Sequence, residues 1–479
     1  MSDLISDRLA RRVVLLLLIV KVIITAFDLT QQGAGGTYDY RHHAWRARSA
    51  GLEMGKMAYN PPLYYLPTLP YVQVSKYYEH GKAIIDPDIN PGDASDHGIA
   101  LLERVRAFNV LYLLVFYVSW IYFLFPRLFE SRRAWFLASL LMLSLPGYQK
   151  AAVMAHPDNL LMALSATGTA AWVFVWQTQR TRFRHGLGLA FSVGLVGLTR
   201  PFAIVPVFFL SLANGWMQVK DAVFDASRAA RPLYLRSVNA ALRVAAIAAV
   251  TASLAGSWWV FRYVETGEIL DAYAEPYIEH FEPFRKNFDY RHYYTSFYFP
   301  KLIEKPNREM SGSNEPSDNI YGNTFPTIVY SEIWGDHWLY FSQDASQTDQ
   351  KAWEKRVVFV LALPLSIAVI VLLFAGIGRA AVRAVRTRDL SPHVVLPAIA
   401  CVGWALFVYW QGHSGLLPGK NSTIKFLYFA YVTPYAIFTA FDFRPRERLF
   451  HWMVAGTLIV FAATLPIALV DARYLFPSP

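Results

Sequence analysis

The sequence predicts an all-α polytopic membrane protein of about eleven transmembrane helices with two long exoplasmic loops carrying short helices. Three observations carry that expectation. Hydrophobic residues make up 54% of the chain and charged ones only 17%, against roughly a quarter charged in a soluble domain. Apolar windows long enough to cross about 30 Å of hydrocarbon recur along the whole length. Basic residues gather in the short connections between them, on alternate sides of successive windows, as the positive-inside bias requires.

The first window, 12–29, follows Arg8, Arg11 and Arg12. No clean small-x-small cleavage site follows, so it reads as a retained spanning helix rather than a signal peptide. Further windows lie at 106–126, 134–150, 158–178, 186–199, 202–217 and 242–261, then at 355–377, 392–410, 424–441 and 450–470. The short pair 186–199 and 202–217 shares Thr199-Arg200-Pro201, which reads as a tight reversal or a re-entrant hairpin. Arg127/Arg132/Arg133, Arg180/Arg182/Arg184, the 220–243 stretch, Arg379/Arg383/Arg386/Arg388 and Arg444/Arg446/Arg448 all land on the N-terminal side, which is then cytoplasmic. The opposite, exoplasmic face receives 30–105, 147–157, 262–354 and 411–424. The whole chain, 1–479, is expected to form one transmembrane domain, with 30–105 and 262–354 as its two large loops.

The net charge of +10 is thereby a topology signal and not a nucleic-acid footprint. The single cysteine, Cys401, excludes an internal disulfide and a cysteine-based metal site. Aromatics at 16% suit both interfacial belts and surfaces that stack on sugars.

Residues able to do chemistry collect on the exoplasmic side. Gly33-Ala-Gly-Gly leads to Thr37, a candidate N-cap for a helix from Tyr38 to about Ala50, stopped by Gly51. Asp39 then sits in its first turn, where the helix dipole favours a carboxylate. Asp39, His43 and Arg46 share a face at i, i+4, i+7, with His42 alongside. Asn60-Pro61-Pro62-Leu63-Tyr64-Tyr65 follows as an extended approach, φ fixed by two prolines, that delivers the tyrosine pair to the interface. The acids of Asp86–Asp96 read as a turn-rich solvated surface rather than a cation site. His156-Pro157-Asp158 opens the next span, Asp158 serving either as a helix-end charge or as a second functional acid. Arg200 and Lys425 stand on the side where basic residues are disfavoured, so each is a candidate partner for an anionic head group; snorkelling is the alternative. Glu332, Trp334, Asp336 and His337 mix acids, imidazole and indole within a few residues of the second long loop, which suits a carbohydrate-facing wall or an aromatic belt.

Taken in order, Asp39 in the first loop, Asn60-Pro-Pro-Leu-Tyr-Tyr, His156-Pro-Asp158-Asn-Leu-Leu, Leu198-Thr-Arg-Pro and Lys425-Phe-Leu-Tyr428 followed by Pro434 resemble the GT-C glycosyltransferases. The similarity is to the bacterial branch of protein O-mannosyltransferases and lipid A aminoarabinose transferases. It implies a GT-C-like fold and an inverting transfer of a hexosyl or pentosyl group from a polyprenyl-phosphate sugar, on the periplasmic face of a bacterial inner or plasma membrane. Asp39 would be the base, with Asp158 beside it. Arg200, Lys425 and Arg262 would bind the donor phosphate. His42, His43, Asn60, Tyr64, Tyr65, His156, Glu332, Trp334, Asp336 and His337 would line the substrates. The acceptor would be a lipid, a glycan or a protein. Tyr40 stands where protein O-mannosyltransferases carry a second acid, which leaves the subfamily open. A phosphate leaving group held by Lys and Arg requires no metal, although Asp39 and Asp158 leave room for a divalent cation. The rival class is a transporter or flippase for a lipid-linked or sugar-like substrate. Its usual internal repeat is not visible in the chain.

Overall fold

The computed structural model describes residues 7–31, 62–67, 78–79, 82–83, 103–154, 156–178, 183–200, 203–224, 232–267, 289–304, 324–335, 352–413 and 431–468. Among these the protein is almost entirely helical. The helices are α1 (Asp7–Gln31), α2 (Glu103–Leu128), α3 (Arg132–Ser144), α4 (Pro146–Val153), α5 (Asp158–Gln177), α6 (Phe183–Gly197), α7 (Ile204–Val219) and α8 (Leu233–Thr266). Three short helices follow, α9 (Tyr290–Thr295), α10 (Phe299–Glu304) and α11 (Phe325–Trp334), and then α12 (Ala352–Thr387), α13 (Pro392–His413), α14 (Thr433–Phe441) and α15 (Glu447–Ala468). A two-residue antiparallel pair, β1 (Tyr78–Glu79) with β2 (Lys82–Ala83), is the only sheet among the described residues.

Among the described residues seven helices are long and apolar enough to cross a membrane: α1, α2, α5, α8, α12, α13 and α15. The chain is a polytopic, integral membrane protein. Where they are described, the other apolar windows are helical in shorter pieces. The 134–150 window breaks at Leu145, which is extended before Pro146 because proline disfavours a helical residue ahead of it. α6 and α7 have 15 and 16 residues, roughly 22–24 Å each at 1.5 Å per residue. They run antiparallel, since Asn214 near the end of α7 donates to the Gly186 carbonyl near the start of α6. The turn between them falls at Leu198–Arg200, where the sequence suggested a reversal. α8 and α12, by contrast, have 34 and 36 residues, so helix continues well past the apolar windows 242–261 and 355–377 into the basic ends.

α1 shows how the bundle is sorted. Ala10, Val14, Leu18, Lys21, Thr25 and Asp28 form one helical stripe and are all buried, while Leu15, Leu16, Ile19, Ile23 and Phe27 are exposed. The polar residues within the apolar window, Lys21, Thr25 and Asp28, therefore face protein, while an opposite stripe of large apolar side chains is left for lipid. α2 is continuous but passes through a π-helical stretch, Val118–Leu124. In that register Phe125 N–H reaches the Trp120 carbonyl, and Pro126, lacking an N–H, leaves the Ile121 carbonyl without its helical donor. The Trp135 indole of α3 donates to it at 2.8 Å.

Close approach is bought with small residues at a few places. A Cβ on Gly197 of α6 would stand 2.4 Å from the Ala255 Cβ of α8, and one on Gly194 2.7 Å from the Leu254 Cβ. At the end of the bundle where the basic connections gather, acids tie the helices together. Asp389 takes the Trp216 indole at 3.0 Å and Lys220 at 3.3 Å, Asp221 takes Arg243 at 2.7 Å, and Asp442 takes Arg383 at 3.1 Å and His393 at 3.0 Å. Burial pushes the Asp442 carboxyl up, but the hydrogen bond and charge of His393, with Arg383, outweigh it and hold the group below its ordinary range.

Candidate functional site

At the opposite end of the bundle, α4 stops at Val153 and α5 starts at Asp158. A helix C-terminus leaves its last carbonyls without intrahelical donors, and here side chains from two other places supply them. Asn159 Nδ2 donates to Ala151 O at 2.9 Å. Asn109 Nδ2 donates to Ala152 O at 2.9 Å and to Met154 O at 2.7 Å. Arg106 Nη1 donates to Val153 O at 3.2 Å. Asn159 also reaches Met154 O and His156 O, both at 3.1 Å. The turn carrying His156 is thus held by its own backbone carbonyls.

Asp158 is the first residue of α5, where the dipole favours its charge. It is 1% exposed, Arg200 4% and His156 3%. Arg200 Nε lies 3.1 Å from Asp158 Oδ1, and His156 Nδ1 lies 3.1 Å from Oδ2 and 3.4 Å from the Asp158 backbone nitrogen. A protonated His156 donates to the carboxylate; a neutral one with Nδ1 bare accepts the backbone N–H instead. Arg200 reaches this point because α6 ends in the turn closed by Thr199 Oγ1 donating to Val196 O at 2.6 Å. Tyr431, just before α14, feels the charge of both Asp158 and Arg200. The three ionisable groups come from two segments that the sequence singled out separately.

The tyrosine pair belongs to the same end. Pro62–Tyr64 form a single 3-10 turn, so the proline pair leads into a tight turn rather than continuing extended. Tyr64 and Tyr65 are fully buried, packed edge to face with ring centroids 5.1 Å apart, and cluster with Val105, Leu160 and Trp258. The Tyr64 hydroxyl donates to Asn109 Oδ1 at 3.0 Å. Burial, then the neighbouring Tyr65, push this phenol well above its ordinary value, so it stays a donor.

The exit of α1 is fastened here too. Gln149 Nε2 of α4 donates to Asp28 Oδ2 at 2.6 Å, and Arg106 Nη2 donates to Leu29 O at 2.7 Å while pairing with Glu103 at 2.9 Å. Asp28, Gln149, Arg106 and Asn109 escape the motif-by-motif reading of the sequence, and Asn159 enters it only as a member of the His156-Pro-Asp158-Asn motif with no role of its own. A signal for some of them exists: Lys21 and Asp28 interrupt an apolar window, as Arg106 and Asn109 open the next, and charges in such windows face the bundle interior. Nothing local says that Arg106 and Asn109 cap another helix.

Other expected site residues are distributed as follows. α11 packs on both α4 and α12, and Glu332 is buried in it. Trp334 is buried, with its indole donating to Ser366 Oγ of α12 at 2.8 Å, which spends its polar atom on fastening α11. Arg262 falls in the last two turns of α8. Asp39, His42, His43, Asn60, Asp336, His337 and Lys425 lie outside the described residues. Among the described residues no three His, Cys, Asp or Glu side chains group so as to hold a metal ion.

No family model matches the chain, and no curated protein sequence matches it. Among solved structures it is similar to ArnT from Cupriavidus metallidurans, in a crystal structure bound to undecaprenyl phosphate, with 14% identity and a TM-score of 0.31, covering 95% of this chain and 77% of that one.

Proposed function

We propose that the protein is a GT-C-like inverting glycosyltransferase that moves a hexosyl or pentosyl group from a polyprenyl-phosphate donor to a lipid, glycan or protein acceptor on the exoplasmic face. The observation that supports it most is the meeting of Asp158 with Arg200 at 3.1 Å, in a buried cluster with His156. It lies at the end of the bundle away from the basic connections. An arginine so fixed, with an acid holding its Nε, has its orientation set before any ligand arrives, which suits a site where phosphate charge develops.

In the reaction, the Asp39 carboxylate takes the proton of the acceptor hydroxyl. The acceptor oxygen attacks the sugar C1 opposite the phosphate, and the C1–O bond to phosphate breaks with its electron pair leaving on the polyprenyl phosphate. Arg200, with Lys425 and Arg262, balances that charge, and Asp158 orients Arg200. Asp39, Lys425 and the remaining substrate-lining residues enter this scheme from the sequence resemblance alone. Residues that bind the phosphate are cationic side chains, so no metal is assigned a step.

The test is transfer by the reconstituted protein in vesicles, supplied with polyprenyl-phosphate-linked hexoses and pentoses and assayed with wild type and Asp39→Asn. Sugar transfer by wild type and its loss by at least about a hundredfold in the variant is expected for removal of a general base. Equal transfer by both removes Asp39 from that role. Translocation of the intact lipid-linked sugar without transfer would favour the transporter class instead.

A further inference from the structure

Tyr64 sits in the segment expected to line substrate, yet its hydroxyl is buried and spent on Asn109. Asn109 has one carbonyl oxygen and two amide hydrogens to place. With Oδ1 taken by the Tyr64 O–H at 3.0 Å, Nδ2 is turned toward Ala152 O and Met154 O at 2.9 and 2.7 Å. Flipping the amide would set a carbonyl oxygen against both of those carbonyls and an amide N–H₂ against the hydroxyl. Ala152 belongs to the last turn of α4 and Met154 follows its end, immediately ahead of His156 and Asp158.

We infer that Tyr64 is a positioning residue: acting through the Asn109 amide, it holds the end of α4 so that His156 and Asp158 meet Arg200. The inference rests on the transferase reading for its kinetic consequence, but the linkage itself is a property of the fold. It assigns Tyr64 and Asn109 a role distinct from contact with sugar. Packing alone does not require the hydroxyl, because the Tyr64 ring is already held by Tyr65, Val105, Leu160 and Trp258. A phenylalanine would fill the same space.

Asn109 lies three residues after Arg106 on the same face of α2. Arg106 ties the neighbouring Val153 carbonyl to Leu29 at the end of α1. One turn of α2 therefore links the end of α1, through Leu29, and the middle of the first long connection, through Tyr64, to the backbone that leads into the acid of the site. Tyr64 is the member of this set whose polar atom can be deleted with the least change in shape.

Tyr64→Phe, Asn109→Ala and the double variant are compared in vesicles with polyprenyl-phosphate-linked sugars. Amide hydrogen exchange of residues 150–162 is measured on the same proteins without donor. Tyr64→Phe should lower kcat about tenfold, the scale of one lost buried hydrogen bond, with the donor KM changed less than about twofold. The double variant should be no slower than Asn109→Ala alone, because both act through one amide. Exchange at 150–162 should accelerate in every variant, while α13 stays unchanged. A Tyr64→Phe effect that falls on donor KM, or that multiplies with Asn109→Ala, makes Tyr64 a substrate contact and overturns the inference. Unchanged exchange at 150–162 also overturns it. Because exchange needs no donor, this arm judges the linkage even if wild type transfers no sugar, an outcome that would count against the transferase reading alone.

Discussion

Replacing Asp158 by asparagine keeps the size of the side chain and removes its charge from a place almost without water. Asp158 and Arg200 are 1% and 4% exposed with Nε and Oδ1 3.1 Å apart. At an effective dielectric constant of about 20, Coulomb attraction at that separation is about 5 kcal/mol. The measured cost of breaking buried pairs by removing one partner is about 3–5 kcal/mol, because the other charge stays buried and uncompensated. Both routes give the same scale, so Asp158→Asn should lower the thermal unfolding midpoint of the micelle-solubilised protein substantially. Asp158→Leu combined with Arg200→Met removes both charges together, so neither is left stranded, and such replacements are commonly neutral or stabilising. The double variant should recover most of the lost midpoint, yet all of these variants should fail to transfer sugar. A midpoint for Asp158→Asn equal to wild type, with no rescue in the double variant, would refute the buried-pair reasoning. Full transfer by the double variant would refute the role of Arg200.

Two further outcomes test the packing and the electrostatics away from this site. Gly197→Ala places a methyl 2.4 Å from the Ala255 Cβ, inside contact distance, and should cost about 1–3 kcal/mol as overpacking; thermal unfolding and the yield of folded protein measure it, and an unchanged midpoint would show that α6 and α8 do not approach so closely. Asp442 has its carboxyl held below the ordinary range by His393 and Arg383. Its contribution to stability is therefore complete above the ordinary carboxylate pKa of about 4 and is lost as pH falls through the lowered folded value. Asp442→Asn should lower stability at neutral pH and weaken the acid-induced loss below about pH 4; a variant with the same acid profile as wild type would remove Asp442 from that role.

Much of the site was legible piece by piece. His156-Pro157-Asp158 and Leu198-Thr199-Arg200 stand out because charged and imidazole groups at the edges of apolar windows require partners. That the partner of one is the other could not be read, since no spacing rule relates residues on two different helices. Tyr64 was visible as a member of an aromatic segment, but its hydroxyl donates to Asn109, and only the packed structure shows that. Asp28 and Lys21 were hidden for a different reason. Hydropathy taken over a window averages a single charge away, although each such charge dictates which face of its helix must be buried.

The amino-acid sequence by itself determined the class of the molecule: a helical, membrane-spanning chain whose basic connections gather on one side. It can do so because transfer of an apolar segment into hydrocarbon, and the obligation of its backbone to hydrogen-bond within itself, are local properties of that segment. Tertiary structure decided which helix ends meet. It joined Asp158 to Arg200, set Asn109 and Arg106 on the carbonyls at the end of α4, and used Trp135 to satisfy the carbonyl that Pro126 leaves open. In each case a buried polar group needs a partner that its own segment cannot supply, and the identity of that partner is settled only by packing.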